Sequence, residues 1–153
     1  VHPRSEGNED QGCEVTTRVE ARTEIASVLQ ANLAGNFPGL PFFWDDTVAV
    51  DLDKVGDRFV RVNTAFLDTE EMTVDPGREM RRHGVVSIFV FQREGQPQGP
   101  ALAVLDTVDT VVRFVPTTKV RFEAPVERRP ETRNGWTSRG IDIPFYSDTL
   151  AWA

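Results

Sequence analysis

The sequence predicts an α/β (α+β) domain, a mixed and mostly antiparallel sheet with two helices packed on it. Three stretches carry that expectation. Gly84-Val-Val-Ser-Ile-Phe-Val-Phe-Gln92 is rich in β-branched and aromatic residues and bounded by glycine and proline, which is the signature of a strand. Its near-continuous apolarity predicts a central strand covered on both faces. Arg58-Phe-Val-Arg-Val-Asn-Thr-Ala-Phe66 alternates with a period of two and is expected to pair antiparallel with it. After Gly95-Gln-Pro-Gln-Gly-Pro100 the period changes to about 3.6 residues. Ala101, Leu105, Val108, Val112 and Val115, joined by Leu102, Val104 and Val111, make one apolar face, while Asp106, Asp109 and Arg113 fall on the other. Pro100 suits the first turn of that helix, where its missing N–H is not needed.

In chain order, residues 1 to 16 are polar and acidic without periodicity, with Glu6, Glu9, Asp10 and Glu14 set against Arg4. They read as an arm outside the single domain of residues 17–153, either a free tail or a segment ordered by a partner. Thr17-Arg-Val-Glu20 is a capping box. The helix it opens runs to about Ala34, with Ala21, Ile25, Val28, Leu29 and Leu33 on one stripe, and Gly35 and Pro38 end it. Phe37 to Trp44, followed by Asp45-Asp46, is dense in aromatic residues and turn formers; it either folds onto the core edge or walls a ligand. A short strand is expected around Thr47–Leu52. Leu67–His83 is too long for a plain hairpin turn and is charged throughout, which predicts a protruding interaction loop. Lys119–Val126 reads as a strand, Glu127–Asn134 as a charged turn region, and Trp136–Ile143 as the last strand, ended by Pro144.

At 153 residues the chain has the length of one domain with a true core, and 39% hydrophobic with 27% charged residues is the balance of a soluble globular protein. No apolar run reaches the roughly 20 residues of a membrane helix, and Val1-His-Pro-Arg-Ser-Glu6 lacks the form of a signal peptide. No membrane partner is expected. Cys13 is the only cysteine, so no internal disulfide or thiolate metal cage can form, and a reducing, intracellular setting is the simpler reading. A net charge of −7 argues against general nucleic-acid binding, yet suits a surface that DNA passes without sticking.

Catalytic signatures are scarce. His2 and His83 are the only histidines, and His83 has no helical i,i+4 partner for a metal. Asp45-Asp46 reads as a solvated turn, and Asp106 and Asp109 as the polar face of a helix. No phosphate-binding loop, nucleophile elbow or HExxH helix occurs. The expectation is no catalytic residue, no metal and no cofactor.

The order of elements resembles the tail terminator (tail completion) proteins of long-tailed, non-contractile bacteriophages and related gene-transfer particles. Arg58-Phe-Val-Arg-Val62 carries the likeness, then Gly84 through Phe91, then Gly95 and Gly99 before a helix ending Asp109-Thr-Val-Val-Arg-Phe114. Gly135-Trp136, Ile143-Pro-Phe-Tyr-Ser-Asp148 and Phe43-Trp44-Asp45 complete it, over roughly residues 18–148. The acidic arm departs from the pattern. The resemblance implies a ring-forming, tail-terminator-like fold assembled as a homo-hexamer. Such a ring caps the tail tube protein, ends its polymerisation and presents a surface to the head–tail connector or stopper protein. DNA passes through its lumen without specific binding, and the protein belongs to the neck of a virion assembled in the host cytoplasm.

The residues expected at subunit or partner contacts are Asp68, Glu70, Glu71, Arg78, Arg81, Arg82, Arg128, Arg129, Arg133, Trp136 and Phe145. The acidic Asp68–Glu71 and basic Arg128–Arg133 segments would pair across a subunit boundary, or else serve as solvated surface. Two other readings stay open: another neck component, such as a head-completion or stopper protein, and, more distantly, a small ligand-binding domain or enzyme using Phe37–Asp46 and His83.

Overall fold

The computed structural model describes residues 16–44, 49–71 and 79–150, except for the side chains of Glu79, Thr149 and Leu150. Two helices, α1 (Arg18–Leu33) and α2 (Gly99–Phe114), lie on one face of a single sheet. Its strands are β1 (Phe42–Phe43), β2 (Arg58–Glu71), β3 (Glu79–Arg93), β4 (Arg121–Phe122), β5 (Val126–Glu127), β6 (Glu131–Arg133) and β7 (Trp136–Leu150). The order is β1-β2-β3-β7-β4, with β5 and β6 also paired to β7. All pairings are antiparallel except the short parallel contact of β1 with β2. The α+β architecture expected from the sequence is what forms.

Thr17 caps α1 as its sequence dictates: Glu20 N donates to Thr17 Oγ1 at 3.1 Å, and Thr17 N donates to Glu20 Oε1 at 2.8 Å. Those bonds to Thr17, the backbone one foremost, hold the Glu20 carboxyl below its ordinary pKa. Because the folded value is depressed, the cap contributes fully above the ordinary carboxylate pKa and is lost as pH falls through the lowered one. Thr16, expected in the arm, is buried and donates its N–H to Asp148 O at 2.7 Å, so it belongs to the domain. From α1, Ala21, Ile25, Leu29 and Leu33 enter the core; from α2, Ala101, Val104, Leu105, Val108, Val111 and Val112 meet them. Glu24 ties α1 to the chain leaving α2. Its carboxylate accepts from Thr118 N (3.0 Å), Thr118 Oγ1 (3.1 Å), Lys119 N (2.7 Å) and Val120 N (2.9 Å).

β3 is central in hydrogen bonding, paired to β2 from Met80 to Gln92 and to β7 over its whole length. It is not covered on both faces as expected. Val86, Ile88 and Val90 point to the helices and are fully buried, whereas Val85, Ser87, Phe89 and Phe91 lie half-buried on a face without helices. The unbroken apolarity of this strand reflects a second, smaller aromatic cluster on that open face.

The expected loop at Leu67–His83 is also corrected. Apart from the undescribed 72–78, it is strand: Thr69, Glu70 and Glu71 pair with Arg82, Arg81 and Met80 after a β-bulge. Opposite charges across the ladder let so polar a sequence extend a hairpin. The strand expected at Lys119–Val126 shrinks to β4 and β5, and β7 runs straight through Pro144. In an antiparallel ladder a residue's N and C=O point to the same neighbour. Pro144 O accepts from Glu123 N at 2.8 Å, so its missing N–H also faces that side and leaves the β3 ladder intact. Of the expected strand at Thr47–Leu52, Thr47 and Val48 lie outside the described residues. Ala49–Leu52 forms none, and Asp51 instead closes a turn by accepting from Asp53 N at 3.1 Å.

Gly84 lies where β3 passes the fully buried Phe145 ring. A Cβ there would stand 2.7 Å from the Ala65 carbonyl oxygen and closer still to that ring. Gly84→Ala is therefore expected to cost about 1–3 kcal/mol through overpacking, read as a lowered urea midpoint; an unchanged midpoint would contradict this packing.

Candidate functional site

The open face of the sheet carries the odd-numbered side chains of β3 and their partners on β2 and β7. At the end where β7 begins, Phe59 stacks on Phe91 with ring centroids 4.9 Å apart and meets the Trp136 edge at 5.3 Å. Phe43 packs edge-on to Phe59 at 5.7 Å, and Val50 and Val55 close the cluster. The Arg93 guanidinium lies 4.6 Å from the Trp136 ring centre, a cation–π arrangement. Asn134 and Gly135 both take positive φ (51° and 81°) in the two-residue turn joining β6 to β7, as a type I′ hairpin requires. That turn brings Arg133 of β6 beside the aromatic cluster.

Next along the face, Phe89 pairs in register with Gly140, and a Cβ on Gly140 would stand 2.7 Å from the ring. The glycine lets Phe89 lie flat across β7. Arg128 covers that ring at 5.0 Å and donates from Nε to Asp142 Oδ2 at 2.8 Å; Asp142 Oδ1 accepts from Ser87 Oγ at 2.7 Å. The result is a groove of about 880 Å³ with Phe89, Phe91 and Trp136 on its floor and Arg61, Arg128, Arg129 and Arg133 at its rim, beside Glu131. Flat π surfaces ringed by guanidinium groups recognise carboxylates flanked by apolar side chains. A second hollow, about 580 Å³ between α1 and β2, is lined by Trp44, which borders the undescribed residues 45–48.

The opposite end of the same face carries cross-strand charge pairs. His83 Nε2 lies 3.1 Å from Glu70 Oε1. Arg81 donates from Nε to Asp148 Oδ1 at 2.9 Å and stacks over Tyr146 at 3.9 Å. The bulge sets Leu67 and Asp68 opposite the single residue His83, so both are exposed, Leu67 by 61%. Bulges re-aim side chains in this way. From Arg81 to Arg93 is twelve residues of β3, so the two ends are about 40 Å apart at ~3.4 Å per residue.

The residues expected at contacts thus separate by role. Asp68, Arg129 and Arg133 stand exposed, and Glu71 is also at the surface. Glu70 and Arg128 reach the surface but are engaged with His83 and Asp142. Arg81 holds Asp148 within the chain. Arg82 turns to the helix side, where burial, and then the like charge of Arg18, lowers its pKa. Phe145 is a correction: it falls on the helix side of β7 and is fully buried in the main core, whereas Trp136 falls on the open face, in the aromatic cluster at the groove floor. Arg78 lies outside the described residues, as do Asp45 and Asp46. Phe37, Leu40, Phe42 and Trp44 pack on the core, the core-edge alternative for that stretch. The groove residues Phe89, Phe91 and Gly140 were not anticipated, and Leu67 was expected only as the start of an interaction loop. The signals were aromatic residues at alternate positions of β3 and the Asn134-Gly135 pair.

Among the described residues no group of three or more His, Cys, Asp or Glu side chains could hold a metal ion. Among them, too, no helix is long and apolar enough to cross a membrane. No family model matches the sequence, and a comparison with curated proteins gives no match. Solved structures do match. One of 17% identity superposes with a TM-score of 0.67, covering 86% of this chain and 96% of its own. At that identity the likeness establishes the fold alone.

Gly140→Val is expected to displace Phe89 and Arg128 together, costing about 1–3 kcal/mol and freeing Asp142. Arg129→Ala, at an exposed position, should stay within about 0.5 kcal/mol of the parent. Thermal unfolding of both variants checks the pair, and equal losses would refute the groove's construction.

Proposed function

We propose that this protein is a structural subunit of a phage-type virion neck: a tail terminator whose ring caps the tail tube, ends its polymerisation and meets the head connector. The observation that carries the reading is the polarity of the open face. A basic, aromatic groove floored by Phe89 and Phe91 lies toward one end and the exposed bulge opposite His83 toward the other, six to eight residues of β3 apart, about 20–27 Å at ~3.4 Å per residue. A subunit with complementary patches at opposite ends makes head-to-tail contacts, and such contacts close into rings when the rotation allows. The two patches cannot meet within one chain, so their complementarity is available only between copies.

Other features agree with this reading. The order of sequence elements resembles the tail terminator family, and a net charge of −7 suits a lumen through which DNA slides without sticking. The open-face carboxylates Asp142 and Asp148 are held by Arg128 and Arg81, which fixes the face as a rigid contact surface.

The purified protein is expected to bind the ends of its tail-tube partner, giving capped tubes in negative-stain images and a ring-sized increment of mass by light scattering. Binding to the portal complex instead, with tube ends left bare, would contradict the terminator assignment and place the protein elsewhere in the neck.

A further inference from the structure

We infer that the acidic bulge of one copy docks in the basic groove of the next, with Leu67 as the apolar anchor and Asp68 as the charge partner of Arg129 and Arg133. The inference rests on the ring reading above and supplies its contact. Leu67 is a large apolar side chain left 61% exposed by the bulge, next to the exposed carboxylate of Asp68. The groove offers the matching chemistry: half-buried Phe89 and Phe91 as a floor, and Arg129 and Arg133 exposed at the rim.

Neither arginine side chain has a hydrogen bond or ion pair among the described residues, in contrast to Arg128, which is committed to Asp142. A groove whose inner arginine is spent on its own architecture while two outer ones stand unused is arranged to receive a carboxylate from outside. The bulge is also the right shape of ligand. Two residues opposite one push Leu67 and Asp68 out of the ladder, whereas the flanking Glu70 is retained by His83. An apolar anchor in a desolvated aromatic pocket with charges at its rim is the usual division between affinity and orientation at interfaces.

Such a contact is heterologous, so each copy uses one patch as donor and the other as receiver, and breaking one patch still leaves its opposite usable. Two variants exploit this: Leu67→Ser with Asp68→Lys, which keeps the groove, and Arg129→Glu with Arg133→Glu, which keeps the bulge. Light scattering on the free protein at high micromolar concentration is the readout. Parent protein is expected to form rings, and each variant alone to self-associate at least tenfold more weakly. An equimolar mixture should give dimers and nothing larger, since only one intact bulge and one intact groove remain per pair. Circular dichroism confirms that both variants are folded. A mixture that stays monomeric, variants that still form rings, or a parent protein that is monomeric when free would each overturn the docking. Tube capping by the parent protein tests the ring reading separately, so a subunit that caps tubes while failing the mixing test loses only this contact.

Discussion

The structure depends on the alternation of β3. This strand is laddered on both sides, to β2 and to β7, so neither its register nor its facing can slip without moving every other strand. Period two then sends Val86, Ile88 and Val90 beneath the helices, and sends Ser87, Phe89 and Phe91 to the open face. A one-residue slip would expose the core and bury Ser87. The main core and the groove are thus two consequences of one register. The close approach of Phe145 to Gly84 on one face, and of Phe89 to Gly140 on the other, pins that register from both sides.

What was legible in the sequence follows from the same physics. Both helices could be read to within a residue or two, because capping and period are local signals: Thr17 with Glu20, and Pro100 before a clean apolar face. The pairing of β2 with β3 was legible from adjacency and alternation. The fate of Pro144 was not, since a proline ends a strand only when its absent N–H faces a neighbour that needs it, and facing is a tertiary fact. The charged stretch at Leu67–His83 misled for a related reason. Its residues look like a loop taken singly, but Glu70 with His83 and Arg81 with Asp148 are cross-strand partners that only the register brings together.

The candidate site was partly visible. Arg129, Arg133 and Asp68, expected at contacts, are exposed, and their side chains have no partner among the described residues. Trp136 and Phe145 were drawn to the same list because Pro144 suggested a strand end or sheet edge there, yet β7 pairs with β3 throughout, placing Phe145 in the main core and Trp136 on the open face at the groove floor. The groove floor escaped notice since its apolarity was attributed to a strand buried on both faces. Aromatic residues on a helix-free face, covered in part by Arg128, satisfy the same composition with a different consequence: a half-buried groove floor.

The proposed role of this subunit is to end tube growth by capping. The most direct test is the length distribution of tubes assembled from the tail-tube protein with and without it. Capping predicts that adding the protein shifts the distribution sharply to shorter tubes and stops elongation once every end is occupied. Growth of the same rate and extent in its presence would contradict the claim.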